Sequence, residues 1–277
     1  MNTLQKFLAV AAVTFGFAGA AHADLASQFS YDVTTLTGNS GHAAVGFDGT
    51  NIWTARWSSA ISTDISRITP AGAFVDTFQI AGLSGTRSFT WDGSQFWAGN
   101  ASTTLSRVDP VTKLVTATLT VPIAARYVTY DPTADGGAGG FWIGDFSSDI
   151  RQVSMTGATL ATIPAATIAS FTSRYGIAFD NVSGPTPFLW VLFQGTCGTA
   201  QSCLGIIDLP SGTPRAAIQD VNATANSVGA LAGGIFLTNG IVPGRTLLTL
   251  TQGTPDTIVG FTPAASVPVS LQSFNVE

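Results

Sequence analysis

Histidine and glutamate, which carry much of the acid–base chemistry of enzymes, are nearly absent from this sequence. The histidines are His22 and His42, and the one glutamate is the last residue, Glu277. His42 is therefore the candidate general base of any catalytic site. A zinc site needs three or four His, Cys or carboxylate ligands, and the chain supplies little beyond aspartates. We predict no resident metal and no cofactor.

Arginine supplies most of the positive charge. The chain has 11 Lys and Arg residues against 16 Asp and Glu residues, a formal net charge of −5 at pH 7. The acidic balance argues against nucleic acid and anionic membranes as partners. A guanidinium can hold a carboxylate through two parallel hydrogen bonds, so clustered arginines would predict an anion site. Whether they cluster depends on the elements that carry them.

A short aromatic motif recurs along the chain about every 40 to 50 residues. It reads Phe47-Asp48-Gly49 ahead of Trp53 and Trp91-Asp92-Gly93 ahead of Trp97. Asp-Gly predicts a tight turn between two strands, and the Trp predicts a large buried anchor on the second strand. The later copies begin at three positions: Tyr130, Phe179 and, without the aspartate, Leu231.

Repeats of this length with about four strands each are typical of propeller blades. We therefore predict an all-β protein, a β-propeller of four-stranded blades with five readable repeats. The segment Asp24 to Thr37 predicts a strand that completes the final blade, and Val267 to Val276 predicts one more strand. A partial sixth blade assembled from the two ends of the chain is the alternative to five blades. No sustained 3.6-residue apolar period follows the N-terminus, so helix should be almost absent.

Strand parity predicts which side chains reach the propeller axis, because side chains alternate between the two faces of a strand. Small residues such as Gly46 and Thr90, one position before the aromatic residue, should crowd the axis. Extending the same parity to five positions before it predicts the mouth of a central channel, formed by His42, Thr86, Ala125, Arg174 and Asn226.

Further polar residues are predicted at the same end of the propeller. Arg87 and Arg126 lie four positions before the aromatic residue, and others follow the Trp or Phe of the second strand. Two interpretations stay open: a ligand-binding ring, or arginines that satisfy loop carbonyls and aspartates. The candidate ligand-binding residues are His42, Arg56, Arg87, Asn100, Arg126, Asp145, Arg174, Asn226 and Asn239.

The chain has two cysteines, Cys197 and Cys203. In an exported protein two cysteines this close together predict a disulfide that closes one loop. The loop would lie between the second and third strands of the fourth repeat. A ring this small should stabilise the fold by about 2 kcal/mol at most.

Residues 1–23 have the pattern of a signal peptide. Lys6 lies in a short polar region, Phe7 to Ala20 form an apolar run, and Ala21-His22-Ala23 is a small-x-small cleavage site. The apolar run is shorter than the roughly 20 residues of a membrane-spanning helix, and no later segment reaches that length, so we predict no membrane span. We expect one mature domain, residues 24–277, in the periplasm or outside the cell.

The segment Ser173 to Asp180, together with Phe47 to Trp53 and Ile65 to Pro70, resembles the blades of streptogramin-lyase, gluconolactonase and NHL-repeat propellers. The resemblance spans about residues 40–262 and rests on propeller consensus positions, so it implies the fold. Streptogramin-lyase-like enzymes use histidine and glutamate with magnesium at the central face, where this chain offers only His42. Gluconolactonase-like proteins bind a divalent metal through a Glu/Asn/Asp set, to which Asn100, Asp145 and Asn239 would correspond in part.

Three functions are compatible with this pattern. The first, which we favour, is an exported propeller that binds a small, anionic ligand, a carbohydrate or a protein partner at its central loop face. The second is a metal-assisted lyase or lactone hydrolase with His42 as general base and a divalent cation held by the Asn/Asp set. The third is a purely structural exported protein.

Overall fold

The computed structural model describes residues 25–57, 64–195, 197, 201–215, 219–225 and 230–263. Within these ranges the chain forms five four-stranded antiparallel sheets and three short helices. The innermost strands of successive sheets pack against one another, and the last packs against the first, so the sheets are the blades of a closed five-bladed propeller. The predicted all-β propeller and the scarcity of helix are confirmed. The predicted strand from Val267 to Val276 lies outside the described residues.

Each blade is built from strands in the same radial order. The innermost strands are β2 (His42–Phe47), β6 (Ser88–Trp91), β10 (Tyr127–Asp131), β14 (Arg174–Asp180) and β18 (Leu231–Asn239). The second strands are β3 (Ile52–Arg56), β7 (Phe96–Gly99), β11 (Gly140–Gly144), β15 (Phe188–Gln194) and β19 (Arg245–Gln252). The third strands are β4 (Asp64–Ile68), β8 (Ser102–Asp109), β12 (Ile150–Ser154), β16 (Ser202–Asp208) and β20 (Thr257–Phe261). The outermost strands are β5 (Phe74–Gln79), β9 (Leu114–Ala125), β13 (Thr159–Ile163), β17 (Gln219–Asp220) and β1 (Ser27–Asp32).

The first strand of the chain closes the ring, as predicted. β1 pairs with β20 and becomes the outermost strand of the fifth blade. The short helix α1 (Val33–Thr37) then carries the chain inward to β2, which begins the first blade. The other two helices, α2 (Ala134–Gly137) and α3 (Val221–Ala225), lie in connections within the third blade and between the fourth and fifth blades. The N-terminal strand therefore belongs to the fifth blade and not to a sixth.

A carboxylate links the hairpin turn to the tryptophan in four blades. In the first blade, Asp48 Oδ1 accepts hydrogen bonds from the amides of Thr50 and Asn51, while Oδ2 accepts one from Trp53 Nε1 at 2.6 Å. One side chain thus shapes the turn and fixes the indole that packs between blades. The corresponding pairs are Asp92 with Trp97, Asp131 with Trp142, and Asp180 with Trp190.

These aspartates stabilise the fold in their charged form. Burial alone would raise the pKa of Asp92, but hydrogen bonds from Gln95, Ser94 and Trp97 outweigh it and hold the pKa below its ordinary value. Asp180 behaves in the same way. A group whose pKa is lowered by folding stabilises the protein above its unfolded pKa, near 4, and loses that contribution as the pH falls through the folded value. Acid should therefore weaken these turns once the pH falls far enough to protonate the aspartates.

The predicted alignment of the fifth repeat is wrong. Leu231 was assigned to the end of the innermost strand, whereas it begins β18, which continues to Asn239. Phe236 lines the axis beside Thr90, Thr129 and Ala178, so Leu237 occupies the position of Phe47 and its counterparts. The shift arises because the fifth repeat has neither the turn aspartate nor the tryptophan, and its Gly-Gly pair imitates a turn in the sequence.

Blades are joined at the axis by hydroxyls as well as by packing. Thr90 Oγ1 accepts a hydrogen bond from the amide of Tyr130 at 2.8 Å, and Thr129 Oγ1 accepts one from the amide of Phe179 at 2.9 Å. Between the first and second blades the corresponding residue is Gly46, where an added Cβ would lie 2.9 Å from Phe96. The small residues predicted for the axis are therefore required by the close approach of neighbouring blades.

The disulfide between Cys197 and Cys203 is present, as predicted. Cys203 lies in β16 and is fully buried, and Cys197 lies in the connection that leads to this strand. The bond ties the connection between the second and third strands of the fourth blade to the blade itself. It is in keeping with an oxidising compartment.

Reduction of the disulfide should lower the melting temperature by only a few degrees. The closed ring is small, so its loss costs about 2 kcal/mol at most, and a domain of this size shifts by roughly 2–4 °C per kcal/mol. Intact-mass analysis with and without reductant should show both thiols blocked in the native protein. Rapid reaction of native thiols with a maleimide would contradict the assignment.

Asp92→Ala should lower the free energy of unfolding by about 2–4 kcal/mol, because it leaves the indole and two turn amides without their charged acceptor. Trp97→Ala should cost about 3–5 kcal/mol through lost packing. Urea denaturation measures both. Asp109→Ala is the control: this partly exposed turn aspartate accepts backbone hydrogen bonds and none from an indole, and its loss should cost about 1 kcal/mol or less. Equal losses for Asp92→Ala and Asp109→Ala would contradict the structural role of the aspartate–tryptophan pair.

Candidate functional site

The innermost strands all begin at one end of the propeller, which we call the mouth, and run toward the hairpin turns at the other end, which we call the turn end. Most predicted site residues were expected at the mouth. The structure brings some of them together there and directs others into the blades or toward the turn end.

Bulges near the start of the innermost strands reverse the predicted parity. In β2 the register shifts between His42 and Ala44, and in β14 it shifts between Arg174 and Gly176. In β6 the amide of Arg87 bonds to the carbonyl of Gly99, the residue already opposite Ser88. The amide of Arg126 bonds to Gly144 in the same way. A bulge places two residues opposite one and re-aims the side chains beyond it.

The residues five positions before the aromatic anchor therefore point into the protein, so the predicted extension of parity to the mouth is wrong. The side chains of His42, Thr86 and Ala125 are fully buried, and that of Arg174 is 2% exposed. The fifth predicted member, Asn226, lies outside the described residues.

His42 is held at the seam between the first and fifth blades. Its Nδ1 lies 3.0 Å from Asp256 Oδ2, and its amide donates to the same oxygen at 2.9 Å. Asp256 also accepts a hydrogen bond from the amide of Gly253, and its own amide donates to Thr34 in helix α1. Burial would raise the pKa of Asp256, but hydrogen bonds from His42 and Gly253 lower it. The pair joins three segments where the ring closes.

Arg174 and Arg56 bind loops. Arg174 donates from Nη1 to the carbonyl of Phe171 at 3.0 Å, from Nη2 to the carbonyl of Ser148, and from Nε to Tyr127 Oη. Arg56 donates from Nε to the carbonyl of Ser40 at 2.8 Å, and its Nη1 lies 3.0 Å from the carboxylate of Asp64. Both follow the alternative interpretation, in which arginines satisfy loop carbonyls and aspartates.

The predicted amide and carboxylate set does not converge. Asn100 accepts hydrogen bonds from the amide and hydroxyl of Ser102 and shapes its own turn at the mouth. Asn239 is exposed at the last position of β18, at the turn end, as a result of the corrected alignment of the fifth repeat. Asp145 lies at the mouth, directly after β11. Asn239 is thus at the opposite end from the other two.

Arg87 and Arg126 do come together, with three aromatic rings. The guanidinium of Arg126 lies 3.7 Å from the ring centre of Phe146 and 4.8 Å from that of Tyr175. The guanidinium of Arg87 lies 4.8 Å from the ring centre of Trp57. We call these five residues the mouth cluster. Tyr175 reaches it because it is the bulged residue of β14, and Phe146 packs edge-on against Tyr175 at 4.8 Å.

The cations of the mouth cluster are poorly compensated. Burial and, to a smaller extent, the nearby positive charge of Arg87 lower the pKa of Arg126 to about 10, while Tyr175 and Asp145 act in the opposite direction. Burial also lowers the pKa of Arg87, again partly offset by Asp145. Both arginines keep their charge at neutral pH. Within the described residues, neither guanidinium forms an ion pair within 4 Å, and neither Nε has a hydrogen-bond acceptor.

The aromatic members follow a sequence signal that parity counting missed. Trp57 comes four positions after Trp53, and Phe146 comes four positions after Trp142. In both blades this position directly follows the polar residue predicted at the end of the second strand. Recognising the bulges would have exchanged the two parities and placed Arg87, Arg126 and Tyr175 together.

In the part of the chain that the structure describes, no group of three His, Cys, Asp or Glu side chains is arranged to hold a metal ion. The helices of the described ranges are also too short to cross a bilayer.

No protein-family model matches the chain, and no curated protein matches it. Among solved structures, the crystal structure of Myxococcus xanthus glutaminyl cyclase is similar, with a TM-score of 0.61 and 11% sequence identity. The match covers 87% of this chain and 100% of that one. At this identity the similarity shows the fold alone. It confirms, at the level of fold, the resemblance to known propellers that the repeats indicate.

The two buried arginines should respond oppositely to removal of their charge. Arg174→Met should lower the free energy of unfolding by about 2–4 kcal/mol, because it leaves buried loop carbonyls unpaired. Arg126→Met should not lower it, because an apolar side chain replaces a buried, unpaired cation. Chemical denaturation of the two variants measures the difference. Similar losses would show that Arg126 is also a structural residue.

Proposed function

We propose that this chain is an exported, non-catalytic β-propeller that binds a small carboxylate, a sugar acid for example, at the mouth cluster.

The buried guanidinium of Arg126 is the observation that carries the proposal. Arg126 is 6% exposed, and no described residue accepts a hydrogen bond from its Nε. A buried charge without a partner is expensive, and buried polar groups in native proteins are nearly always hydrogen-bonded. A bound anion would provide the acceptor that the described part of the protein lacks, and a carboxylate fits the planar donor geometry of arginine.

The second cation sets the sign of the ligand. Arg87 lies close enough to lower the pKa of Arg126, so the two guanidinium groups repel each other. Asp145 is the one carboxylate that acts on both. One further negative charge between the arginines would relieve the repulsion. This favours an anion over a neutral ligand.

Aromatic rings provide the wall for the rest of the ligand. Trp57 is 40% exposed while one face of its ring is covered by Arg87. An exposed indole beside cations is suited to the apolar face of a sugar ring or to another planar body. A carboxylated sugar therefore matches both parts of the mouth cluster.

A metal-assisted lyase or lactone hydrolase is less well supported. Its general base would be His42, which is fully buried and held by Asp256. Its cation ligands would be Asn100, Asp145 and Asn239, and Asn239 is at the turn end. In our proposal binding needs no metal ion, so chelation with EDTA should leave it unchanged.

Export is part of the proposal. The pattern of residues 1–23 is that of a cleaved signal peptide, and the disulfide fits an oxidising compartment such as the periplasm or the medium. A binding propeller there would meet small organic acids and polysaccharide fragments before the cytoplasm does.

Isothermal titration with D-galacturonate, and with D-galactose as its neutral match, tests the proposal. The mature protein should bind galacturonate more tightly than galactose. Arg126→Met should weaken galacturonate binding by roughly 10- to 150-fold, because a charge-assisted hydrogen bond contributes about 1.5–3 kcal/mol. Arg107→Met is the matched control, since Arg107 binds Asp92 at the turn end, and it should leave the affinity unchanged.

Two results would overturn the proposal. One is equal or tighter binding of galactose, which would remove the role of charge. The other is an unchanged affinity of Arg126→Met, which would reduce the arginine to a packing residue.

A further inference from the structure

Gln194 carries a further unsatisfied donor at the mouth. It is the last residue of β15 and pairs with Ser202. Its amide donates to the carbonyl of Ser173 at 3.1 Å, and its carbonyl accepts from Thr172 Oγ1 at 2.8 Å. Its backbone is therefore fully used. The side-chain nitrogen Nε2 is shielded from solvent and has no hydrogen-bond partner among the described residues.

Gln194 occupies the same position in its blade as the aromatic residues Trp57 and Phe146 of the mouth cluster. It comes four positions after Trp190, as Trp57 does after Trp53 and Phe146 after Trp142. In the first and third blades this residue packs against the bulged residue of the next blade: Trp57 against Arg87, and Phe146 against Tyr175. Gln194 is the polar member of the set.

In the described part of the next blade, the bulge that corresponds to the partner of Gln194 has no side-chain acceptor. If Gln194 also packs against the bulge of the next blade, it faces the bulge of β18, where the register shifts between Ala232 and Ile235. The two residues in that bulge are Gly233 and Gly234, which have no side-chain acceptor. Among the described residues, the side-chain nitrogen Nε2 of Gln194 therefore has no acceptor, and the Nε of Arg126 has none either.

We infer that Gln194 is a specificity residue at the mouth. Its side-chain amide donates a hydrogen bond to a neutral acceptor on the ligand, a hydroxyl or carbonyl oxygen, while Arg126 holds the carboxylate of the same ligand. The inference rests on the proposed function and narrows it. The ligand class becomes carboxylates that carry a second, uncharged acceptor, such as sugar acids, and simple apolar carboxylates are discriminated against. A site with a buried unpaired donor rejects a ligand that lacks the matching acceptor.

Two probes of similar size separate the two contacts. D-galacturonate carries a carboxylate and ring hydroxyls, and cyclohexanecarboxylate carries a carboxylate on an apolar ring. The wild-type protein should bind galacturonate more tightly. Gln194→Leu should weaken galacturonate binding by about three- to tenfold, as expected for one neutral hydrogen bond, and should leave cyclohexanecarboxylate within about twofold. Gln95→Leu, at the turn end of the second blade, is the control and should change neither affinity.

The outcomes distinguish this inference from the proposed function. If both carboxylates bind the wild type equally, or if Gln194→Leu keeps the preference for galacturonate, the role of Gln194 is overturned while carboxylate binding stands. If neither carboxylate binds the wild type, the proposed function falls and the inference falls with it. Circular dichroism and thermal unfolding of Gln194→Leu establish that the variant is folded before it is titrated.

Discussion

The hydrogen bond between a turn aspartate and the indole of the following strand is the interaction that the blades depend on. In the first blade Asp48 holds two turn amides and Trp53 Nε1 at once, and the bond from the carboxylate to the indole recurs in the next three blades. The carboxylate fixes the turn, the turn sets the register of the hairpin, and the register places the indole between neighbouring blades. Because the aspartate is partly buried, its charge is stable only while these donors remain in place.

Ring closure is the second constraint, and it explains the state of the single histidine of the described chain. A propeller must join its last blade to its first, and here β1 completes the fifth blade before α1 leads to β2. Asp256 ties the fifth blade to α1 and to His42 at this seam. A residue that looked like a general base in the sequence is therefore a buried structural group.

The arginines show how identical side chains acquire different roles from their surroundings. Arg174 is buried with loop carbonyls around it, so its donors are used and its charge is solvated by the protein. Arg126 is buried against Phe146 and Tyr175, whose ring faces lie against its guanidinium. Phe146 has no hydrogen-bond acceptor in its side chain. Proteins that satisfy most local rules tend to violate them at functional sites. Within the described residues, Arg126 Nε and Gln194 Nε2 have no acceptor and lie at the same end of the propeller, which is why we propose the site there.

The sequence by itself determined the features that depend on local rules. The spacing of the aromatic motif predicted a propeller with five readable repeats, Asp-Gly predicted the turns, and two close cysteines predicted the disulfide. Each follows from a few neighbouring residues: a repeat length, the conformational freedom of glycine, or a short separation between thiols. The N-terminal strand of the last blade was also predictable, because its residues resemble the outermost strands of other repeats.

Only the tertiary structure decided which side chains form the mouth. A bulge adds one residue to a strand and exchanges its two faces, so counting along the sequence predicted Arg174 at the mouth of the channel, whereas in the structure it binds loop carbonyls. The fifth blade was misaligned because it lacks the aspartate and tryptophan that define the others. The contact between His42 and Asp256 joins residues more than two hundred positions apart. Such pairings depend on the closure of the whole ring, since each blade acquires its neighbours only when the last one meets the first.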